Sequence, residues 1–435
     1  MPLPSRQGVP ARESRQQGEF TAHDSCRFCR GRSLHPFLDL GDVPLAGAFL
    51  KEADFATERF YPLQVNFCSD CSLVQVGNAI PVEVLFKNYF YFSSAIGTLV
   101  THFGELAQEL ARQLPDRSRS LVVEIGCNDG VFLKPLIAAG IPCVGVDPAS
   151  NVVRASGLPE SHVVNDCFTE SVARGILSSR GPADFVVSSF SFAHIDDMND
   201  VMRGVKLLLA PDGAFVFEVF YLGIVLDELQ YDMIYHEHMS YYSLIALENF
   251  FERFGMEIYD LGQIPLRAGT LRFYARNVGH RPGPVSRAVL ELRERERARR
   301  LDRLDTYRDF GARVAASKRA LVSLLEGLKG AGKSIIGYGA SGRATTIMNY
   351  CGIDRRYLEY VVDDAPAKHG FSTPGTHVPI VPWSATEGRT PDYALVFAWS
   401  FIDEVMKRRA DYLKQGGRFI VPLPEVRVIS GPPSA

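Results

Sequence analysis

The sequence predicts an α/β protein in which two successive parallel-sheet units follow a small, loop-rich N-terminal module. Short, β-branched apolar runs such as LVVEIG, CVGVDP and DFVVSS alternate with helix-length segments, which is the pattern of buried parallel strands. The alternation restarts after Gly332 with IIGYGASG and YVVDD, which predicts the second unit. Two close cysteine pairs set the N-terminal segment apart. We therefore expect domains at 1–86, 87–300 and 301–435.

The length and charge of the chain narrow the classes of function. Its 435 residues are enough for two or three cores, and 47 Lys and Arg residues against 50 Asp and Glu residues leave a net charge of −3. That balance disfavours a nucleic-acid partner, and no run of about 18 apolar residues predicts a membrane span. We expect a soluble, cytoplasmic monomer that acts on a small organic substrate.

The N-terminal module begins after a leader, residues 1 to about 22, that we expect to be disordered. Two C-x2-C pairs follow, and they predict a structural zinc site because four thiolates complete the tetrahedral shell of that ion. The alternatives are two unrelated pairs of reduced thiols or a redox site, although neither pair opens a helix after a strand. The candidate ligands are Cys26, Cys29, Cys68 and Cys71.

The first strand of the central unit ends in a glycine turn that predicts a cofactor pocket. Gly126 and Gly130 let bare backbone approach a ligand, while Glu124 offers a carboxylate near the end of the strand. Asp147 ends the next strand about twenty residues on, where it can accept hydrogen bonds from a ribose diol. NAD shares that geometry, but the turn lacks the G-x-G-x-x-G spacing, which favours S-adenosylmethionine. The candidate cofactor residues are Glu124, Gly126, Asn128, Gly130, Asp147, Pro148 and Ser189.

The segment YDMIYHEHMSYYS (231–243) holds the candidate catalytic residues Tyr235, Glu237 and His238. A histidine can move a proton near neutral pH, a carboxylate can orient it, and a tyrosine hydroxyl can donate to a developing oxyanion. Such a group suits removal of a proton next to a carbonyl, the step that methyl transfer to carbon requires. Transfer to a hydroxyl needs only a base, so O-methylation stays open, and the cluster could also be a hydrogen-bonded core.

Charges crowd the stretch from about Pro284 to Lys329, where apolar residues recur at three- and four-residue intervals. This pattern predicts one long amphipathic helix that joins two domains. Beyond it, the glycine turn GYGASG is by itself only a weak signal of a phosphate-cradling loop, with NAD as the rival ligand.

A series of segments follows in a fixed order along nearly the whole chain: C-x2-C…C-x2-C, YFYFSS, VVEIGCNDG, AHIDD, FEVFYL, YHEH, GYGASGRATTIMN, VDDAPAKHGFSTPGTHVPI and PDYALVFAWSF. In this order they resemble the sugar C-methyltransferases that act on nucleotide-linked 4-keto-deoxysugars, the group that includes the tetronitrose C-3′-methyltransferase. The resemblance implies a zinc-bearing N-terminal domain, a central Rossmann-like class I methyltransferase domain, and a C-terminal Rossmann-like domain that helps to hold the nucleotide sugar.

The resemblance also implies proton abstraction next to the ketone and methylation of the resulting enolate. Carried over to this sequence, it makes His238 the candidate base, Glu237 its partner and Tyr235 the donor to the enolate oxygen. It places the further candidate catalytic residue His194 near the sugar. The candidate substrate-binding residues are Tyr89, Tyr91, Arg267, Arg272, Gly337, Tyr338, Gly339 and Arg343.

Three departures from the family pattern leave the sugar, its nucleotide and the methylated carbon open. SSFSFAH stands where NNVLAH is common, and RAGTLR stands where HGGSLR is common, so that Arg267 replaces a histidine. Arg343 replaces a usual lysine in the C-terminal glycine turn, which keeps the charge and changes its geometry.

The leading hypothesis is therefore an S-adenosylmethionine-dependent C-methyltransferase with a structural zinc ion. We expect it to add a branch methyl group, at C-3′, to a dTDP-linked 4-keto-deoxysugar that enters an antibiotic or a surface glycan. The alternatives are O- or N-methylation of a related sugar, and a non-catalytic module that binds a nucleotide sugar or S-adenosylmethionine.

Overall fold

The computed structural model describes residues 16–86, 91–264, 266, 269–280 and 283–431. Two of the candidate substrate-binding residues, Tyr89 and Arg267, lie outside this part of the chain. Most of the predicted leader lies outside it as well.

The N-terminal module is a small sheet that also takes a strand from the middle of the chain. Leu34–Val43 pairs antiparallel with Arg59–Cys68, which pairs with Val74–Val76, and this strand in turn pairs with Ser240–Tyr241. Because Ser240–Tyr241 lies within the candidate catalytic segment, two residues after His238, the sheet holds that segment at one point. The remaining elements are the strands Gln16–Gln17, Thr21–Ala22 and Asn78–Ala79, the 3-10 helix Glu52–Thr57 and the helix Val82–Phe86.

The central domain is a seven-stranded, mostly parallel sheet with helices between its strands. In spatial order its strands are Met256–Gln263, Thr270–Asn277, Leu209–Phe220, Ala183–Ser189, Val122–Ile125, Cys143–Val146 and Val163–Val164. Among these seven strands, Thr270–Asn277 alone runs opposite to the other six. The α-helices are Gly97–Gln113, Leu133–Ala138, Ser150–Ser156, Glu170–Arg180, Met198–Leu208, Leu222–Asp227 and Leu244–Glu252. All three apolar runs singled out in the sequence are therefore strands, and they end at one edge of the sheet.

The charged stretch forms two helices, Arg287–Ala298 and Leu304–Gly330, so the prediction of one long helix is wrong. The break follows from Arg300, which takes a left-handed φ of 57°, and from Leu301, which is fully buried. The Tyr307 hydroxyl donates to the Leu301 carbonyl at 2.6 Å and closes the corner. Apolar periodicity continues through this corner, which is why the pattern did not reveal it.

The C-terminal domain repeats the parallel-sheet design on a smaller scale. In spatial order its strands are Ile380–Val381, Val361–Val362, Ile335–Tyr338, Tyr393–Val396, Arg418–Val421 and Arg427–Ser430, the last of them antiparallel. Its α-helices are Gly342–Cys351, Ile402–Arg408 and Ala410–Lys414. The predicted fold class, two Rossmann-like α/β units behind a small N-terminal module, is confirmed. Within the described ranges, the helices are all too short or too polar to cross a membrane.

One apolar cluster spans all three domains. A single buried cluster includes Leu38 and Val65 of the N-terminal module, Leu226 and Tyr231 of the central domain and Ile347 of the C-terminal domain. The segment from Tyr231 onward, which carries the candidate catalytic residues, is therefore packed between the domains rather than exposed as a loop.

Candidate active site and zinc site

The four predicted zinc ligands converge in the N-terminal module. Their sulfur atoms all lie within 4.8 Å of one another, with Cys26 and Cys71 at 3.5 Å and Cys29 and Cys68 at 3.5 Å. Sulfurs bound to one zinc ion at about 2.3 Å lie about 3.8 Å apart, so the four thiols fit this ion. Zinc would complete the tetrahedron and leave no open position, which makes the site structural.

Each cysteine pair is shaped by a tight turn of the backbone. The residue after the second cysteine is left-handed in both pairs, at Arg30 (φ 62°) and Ser72 (φ 67°). The Arg30 amide donates to the Cys26 carbonyl at 2.9 Å, and the Ser72 amide donates to the Cys68 carbonyl at 2.8 Å. The two turns bend alike and present both thiols of each pair to a common centre.

A cavity of about 1020 Å³ lies at the edge where the central strands end, and residues of all three domains line it. It brings together most of the residues that the sequence singled out. The lining includes Tyr91, Glu124, Gly126, Asn128, Asp147, Pro148, Ser189, His194, Tyr235, Glu237 and His238.

The turn after the first strand is preformed for a ligand. Gly126 has a φ of 76°, and a Cβ atom there would lie 2.4 Å from that of Ser191, so this position requires glycine. Asp147 accepts hydrogen bonds from the amides of Asn128 at 2.9 Å and Ala149 at 2.8 Å. The Asn128 side chain donates to the Tyr91 carbonyl at 3.1 Å, which joins the turn to the chain that enters the domain.

Two buried oxygen atoms in the cavity wall can accept hydrogen bonds from a ligand. Glu124 Oε2 and Ser189 Oγ are buried and have no hydrogen-bond partner among the described residues. Burial, together with the nearby carboxylates of Asp147 and Asp129, raises the pKa of Glu124 well above its usual range. S-adenosylmethionine carries ammonium and ribose hydroxyl donors, so the acceptors at this end of the cavity fit that cofactor.

Sequence reasoning missed one wall of the cavity. Cys167, Phe168 and Thr169 line it directly after the short strand Val163–Val164. A third parallel strand about twenty residues after Asp147 was the available signal, but two residues are too short to show a strand pattern.

The catalytic segment forms a turn that pairs Tyr235 with His238. The His238 amide donates to the Tyr235 carbonyl at 2.9 Å, which places the two side chains on one side of the turn. His238 Nδ1 lies 2.8 Å from the Met233 carbonyl, which can only accept, so Nδ1 carries the proton. In the neutral ring Nε2 is then an acceptor, and the Tyr235 hydroxyl donates to it at 2.9 Å.

The partner of His238 thus differs from the one that the resemblance implied. Glu237 lines the cavity without hydrogen bonding His238, and its carboxyl has no hydrogen-bond partner in the described ranges. Burial raises the pKa of Glu237 to about 7. His194 does approach the pair, with its ring centroid 5.3 Å from that of His238, whereas His236 faces away and contacts the Pro62 carbonyl at 3.2 Å.

Several predicted binding residues lie away from the cavity. Gly130 has a φ of 74° and abuts Leu158, so it serves the packing of the turn. Arg272 is buried in ion pairs with Glu218 at 2.8 Å and Glu109 at 2.7 Å. Neither Gly130 nor Arg272 is among the described residues that line the cavity.

The C-terminal glycine turn lines the cavity through other residues than those that the resemblance implied. Ala340, Ser341 and Gly342 line it together with Lys368, which donates to the Ala340 carbonyl at 2.7 Å. The four residues of this turn that the resemblance implied are not among the described residues that line the cavity. Gly337 packs against Phe397, the Tyr338 hydroxyl donates to Asp364 at 3.1 Å, Gly339 has a left-handed φ of 91°, and Arg343 pairs with Asp232.

The strand order of the central sheet and the buried acidic residues at its carboxyl edge are those of a Rossmann-like nucleotide-cofactor domain. A family model described as "Methyltransferase domain" matches residues 101–261. The protein is therefore an S-adenosylmethionine-dependent methyltransferase. Two further models match on either side: a zinc binding domain at residues 26–86 and a "C-methyltransferase C-terminal domain" at residues 265–424.

One relative aligns with almost the whole chain. C-methyltransferase NovU of Streptomyces niveus is 34% identical over 412 residues, which cover 94% of this chain and 97% of that protein. The chain therefore belongs to the family of C-methyltransferases that includes NovU. A ubiquinone biosynthesis O-methyltransferase of Azorhizobium caulinodans is 28% identical over 119 residues, 27% of this chain and 46% of that enzyme.

Solved structures match part of the chain. An S-adenosylmethionine-dependent methyltransferase from Mesorhizobium loti is 16% identical with a TM-score of 0.32, and the match covers 41% of this chain and 100% of that chain. Magnesium protoporphyrin IX methyltransferase from Synechocystis, solved with bound S-adenosylhomocysteine, is 14% identical with a TM-score of 0.32, covering 41% and 82%.

Proposed function

We propose that this C-methyltransferase adds a branch methyl group, at C-3′, to a dTDP-linked 4-keto-deoxysugar through a base-generated enolate. One observation carries the proposal: the Tyr235–His238 pair lies in the wall of a cavity that also holds the buried acceptors Glu124 and Ser189. A base beside the cofactor end of a cavity is the arrangement that carbon methylation needs. We further propose that the enzyme acts as a cytoplasmic monomer and that its product enters an antibiotic or a surface glycan.

His238 is prepared to accept a proton from carbon. Because its Nδ1–H donates to the Met233 carbonyl, the lone pair on Nε2 points into the cavity wall toward Tyr235. In the proposed step the proton leaves C-3′ for Nε2, the electrons of the broken C–H bond form the C-3′–C-4′ double bond, and negative charge develops on the ketone oxygen.

Tyr235 acts on the ketone oxygen in the same step. Its hydroxyl donates to His238 in the structure, and an entering ketone oxygen offers a second acceptor at the same site. Transfer of this hydrogen bond to the ketone would release Nε2 for the substrate proton and stabilise the enolate oxygen. Glu237 and His194 line the same part of the cavity and would bind polar groups of the sugar.

The glycine turn of the central domain would hold the methyl donor beside the Tyr235–His238 pair. Bound S-adenosylmethionine supplies an electrophilic methyl group that a carbon nucleophile can take up. Asp147 and Glu124 would accept hydrogen bonds from its donors, and the bare backbone at Gly126 would give it room.

The C-terminal domain offers a site for the nucleotide end of the substrate. Ser341 caps the helix Gly342–Cys351 by accepting from the Ala344 amide at 3.4 Å, and the first residues of that helix line the cavity. A helix N-terminus favours anions, and the Lys368 ammonium, which also pairs with Asp363 at 3.0 Å, lies beside it. These features support a diphosphate at this position.

Mass spectrometry of the sugar product tests the reaction. Purified enzyme is incubated with S-adenosylmethionine and a panel of dTDP-4-keto-6-deoxysugars, and in parallel in heavy water without the methyl donor. We expect a gain of one methylene group, and deuterium uptake next to the ketone that His238→Gln abolishes. Fragmentation and NMR distinguish C-3′ from C-5′, the other carbon next to the ketone. Methyl gain on oxygen or nitrogen would replace the enolate proposal by O- or N-methylation.

A further inference from the structure

Asp232 is a fully buried carboxylate beside the catalytic turn, and its partners come from the C-terminal domain. Its Oδ2 accepts from Arg343 Nε at 2.8 Å and from Trp399 Nε1 at 2.8 Å. The Arg343 guanidinium also lies 4.8 Å from the centroid of the Trp399 ring and donates to Ser400 at 3.0 Å. Arg343 is thus held by protein groups through Nε and Nη1, while its buried Nη2 has no hydrogen-bond partner among the described residues.

The same helix of the C-terminal domain holds the catalytic segment at a second point. The Thr346 hydroxyl donates to the Ile234 carbonyl at 3.0 Å. Arg343 and Thr346 are three residues apart on the helix Gly342–Cys351 and therefore lie on one face. Their two partners, Asp232 and Ile234, flank Met233 on either side.

Met233 is the residue that determines which nitrogen of His238 carries a proton. Its carbonyl accepts from His238 Nδ1 at 2.8 Å and from the Tyr241 hydroxyl at 3.3 Å. A shift of this carbonyl would remove the acceptor that keeps Nδ1 protonated and Nε2 unprotonated. The orientation of the Met233 peptide is therefore a condition for His238 to act as a base.

We propose that Asp232, Arg343 and Thr346 are positioning residues that clamp the Met233 carbonyl and thereby hold His238 in the Nδ1–H form. The C-terminal domain then contributes to proton abstraction as well as to substrate binding. Arg343 acts through Asp232 and does not contact the nucleotide. This inference rests on the proposed function, because it takes His238 as the base.

The first test measures the clamp without any substrate. In protein labelled with 15N-histidine, the imidazole nitrogen shifts show which ring nitrogen is protonated, and His238→Gln assigns the signal. We expect the Nδ1–H form in the wild type and loss of that single form in Asp232→Asn and in the isosteric Thr346→Val. A wild-type His238 protonated on Nε2, or a signal that neither substitution alters, would overturn the proposal.

The second test separates positioning from nucleotide binding. Asp232→Asn and Arg343→Gln should lower kcat for methylation about 10- to 100-fold, the effect of a misplaced catalytic group, while KM for the nucleotide sugar changes less than about twofold. The dissociation constant of dTDP alone should also stay within about twofold of the wild type. Arg356→Gln is the matched control, because Arg356 pairs with Asp354 inside its own domain and is 73% exposed.

The outcomes of these tests are distinguishable. Should Arg343→Gln weaken dTDP binding at least about tenfold while Asp232→Asn turns over normally, Arg343 is a nucleotide ligand and the clamp is wrong. A wild type that methylates none of the sugars refutes the proposed function, while the imidazole measurement still decides the clamp. Thr346→Val keeps both ionic partners, so it tests the clamp even if Arg343→Gln fails to fold.

Discussion

Arg27, which lies between the first two zinc ligands, donates from Nε to Asp196 Oδ1 at 2.9 Å. Asp196 lines the cavity two residues after His194. The neighbouring Asn199 side chain donates to the Arg27 carbonyl at 2.6 Å and to the Phe28 carbonyl at 3.1 Å. The first cysteine turn is therefore bound directly to the loop that forms one wall of the active site.

The Arg27–Asp196 pair predicts a large loss of stability when it is broken. Arg27 is fully buried, and it also donates to the Val76 and Asn78 carbonyls at 2.5 and 2.9 Å. Asp196 itself is 39% exposed, but Asp196→Ala would leave a buried guanidinium without its counter-charge, which we expect to cost about 3 kcal/mol of unfolding free energy. Urea unfolding measures the change.

Arg30 provides the matched control for this experiment. It pairs with Asp197, but the two side chains are 45% and 57% exposed. Arg30→Gln removes this exposed pair and leaves Asp197 as the N-cap of the helix Met198–Leu208, so it should cost less than about 1 kcal/mol. Equal losses in Asp196→Ala and Arg30→Gln would show that the burial of Arg27 contributes nothing.

Removal of zinc should weaken both the fold and the cofactor site. Cys68→Ser leaves three thiolate ligands, so the metal content should fall and stability should drop by several kcal/mol, because binding energy at such sites is folding energy. Affinity for S-adenosylmethionine should fall as well, since the first cysteine turn supports the loop at Asp196. Metal analysis, thermal unfolding and calorimetry measure the three effects. Cys143→Ser is the control, because Cys143 lies outside the cluster and this variant should keep the zinc. If zinc-free protein bound S-adenosylmethionine with undiminished affinity, the zinc site would not support the cofactor site.

The parts of the site that sequence predicted are those set by local rules. Parallel strands end at one edge of a sheet, so Glu124, Asp147 and Ser189 could be placed together from three short apolar runs. The cysteine spacing likewise placed the zinc ligands, because each pair needs only its own tight turn.

The parts that sequence did not predict depend on partners far along the chain. Arg343 and Asp232 are 111 residues apart, and only the packed fold shows that they meet. Arg272 and Glu109 are likewise 163 residues apart, and their ion pair inside the protein compensates the charge of Arg272. Tyr235 and His238 are close in sequence, but the direction of the turn decides whether Tyr235 or Glu237 forms a hydrogen bond with His238.

Loss of either member of the catalytic pair should reduce turnover without reducing cofactor binding. His238→Gln removes the proton acceptor and Tyr235→Phe removes the donor, and each should lower kcat about 10²- to 10⁴-fold. Affinity for S-adenosylmethionine should stay near that of the wild type, because we assign cofactor binding to Glu124 and Asp147 rather than to these two side chains. Steady-state kinetics and calorimetry test this expectation, and full activity in both variants would refute the assignment.

Glu124 should contribute chiefly to cofactor affinity. Its buried Oε2 lacks a protein partner in the described part of the chain, and the ammonium group of the cofactor would favour the ionised carboxyl that burial alone disfavours. Glu124→Gln should therefore lose a charged hydrogen bond to the bound cofactor. Such bonds contribute about 1.5–3 kcal/mol, which corresponds to a loss of affinity of about tenfold or more in calorimetry. At saturating S-adenosylmethionine, kcat should approach the wild-type value. The exposed Glu160→Gln is the control, and unchanged affinity in Glu124→Gln would place the cofactor elsewhere.

Glu237 should make the stability of the protein depend on pH. Burial raises its pKa to about 7 from the ordinary value of 4.5, so the folded state holds the protonated carboxyl more tightly than the unfolded chain does. This contribution to stability is complete below pH 4.5 and is lost as the pH rises through 7. Glu237→Gln removes the ionisable group, so the variant should exceed the wild type in stability by about 2 kcal/mol at pH 8, and by little at pH 5.

Urea unfolding at the two pH values measures this difference, and Glu296 supplies the contrast. Burial also raises the pKa of Glu296 to about 7, but its two oxygens accept from the Leu244 amide at 2.7 Å and the Ile245 amide at 2.8 Å. A glutamine offers only one acceptor oxygen, so Glu296→Gln should destabilise the protein at pH 8, where Glu237→Gln stabilises it. If Glu237→Gln showed no gain at pH 8, the carboxylate would have a cationic partner in the folded protein.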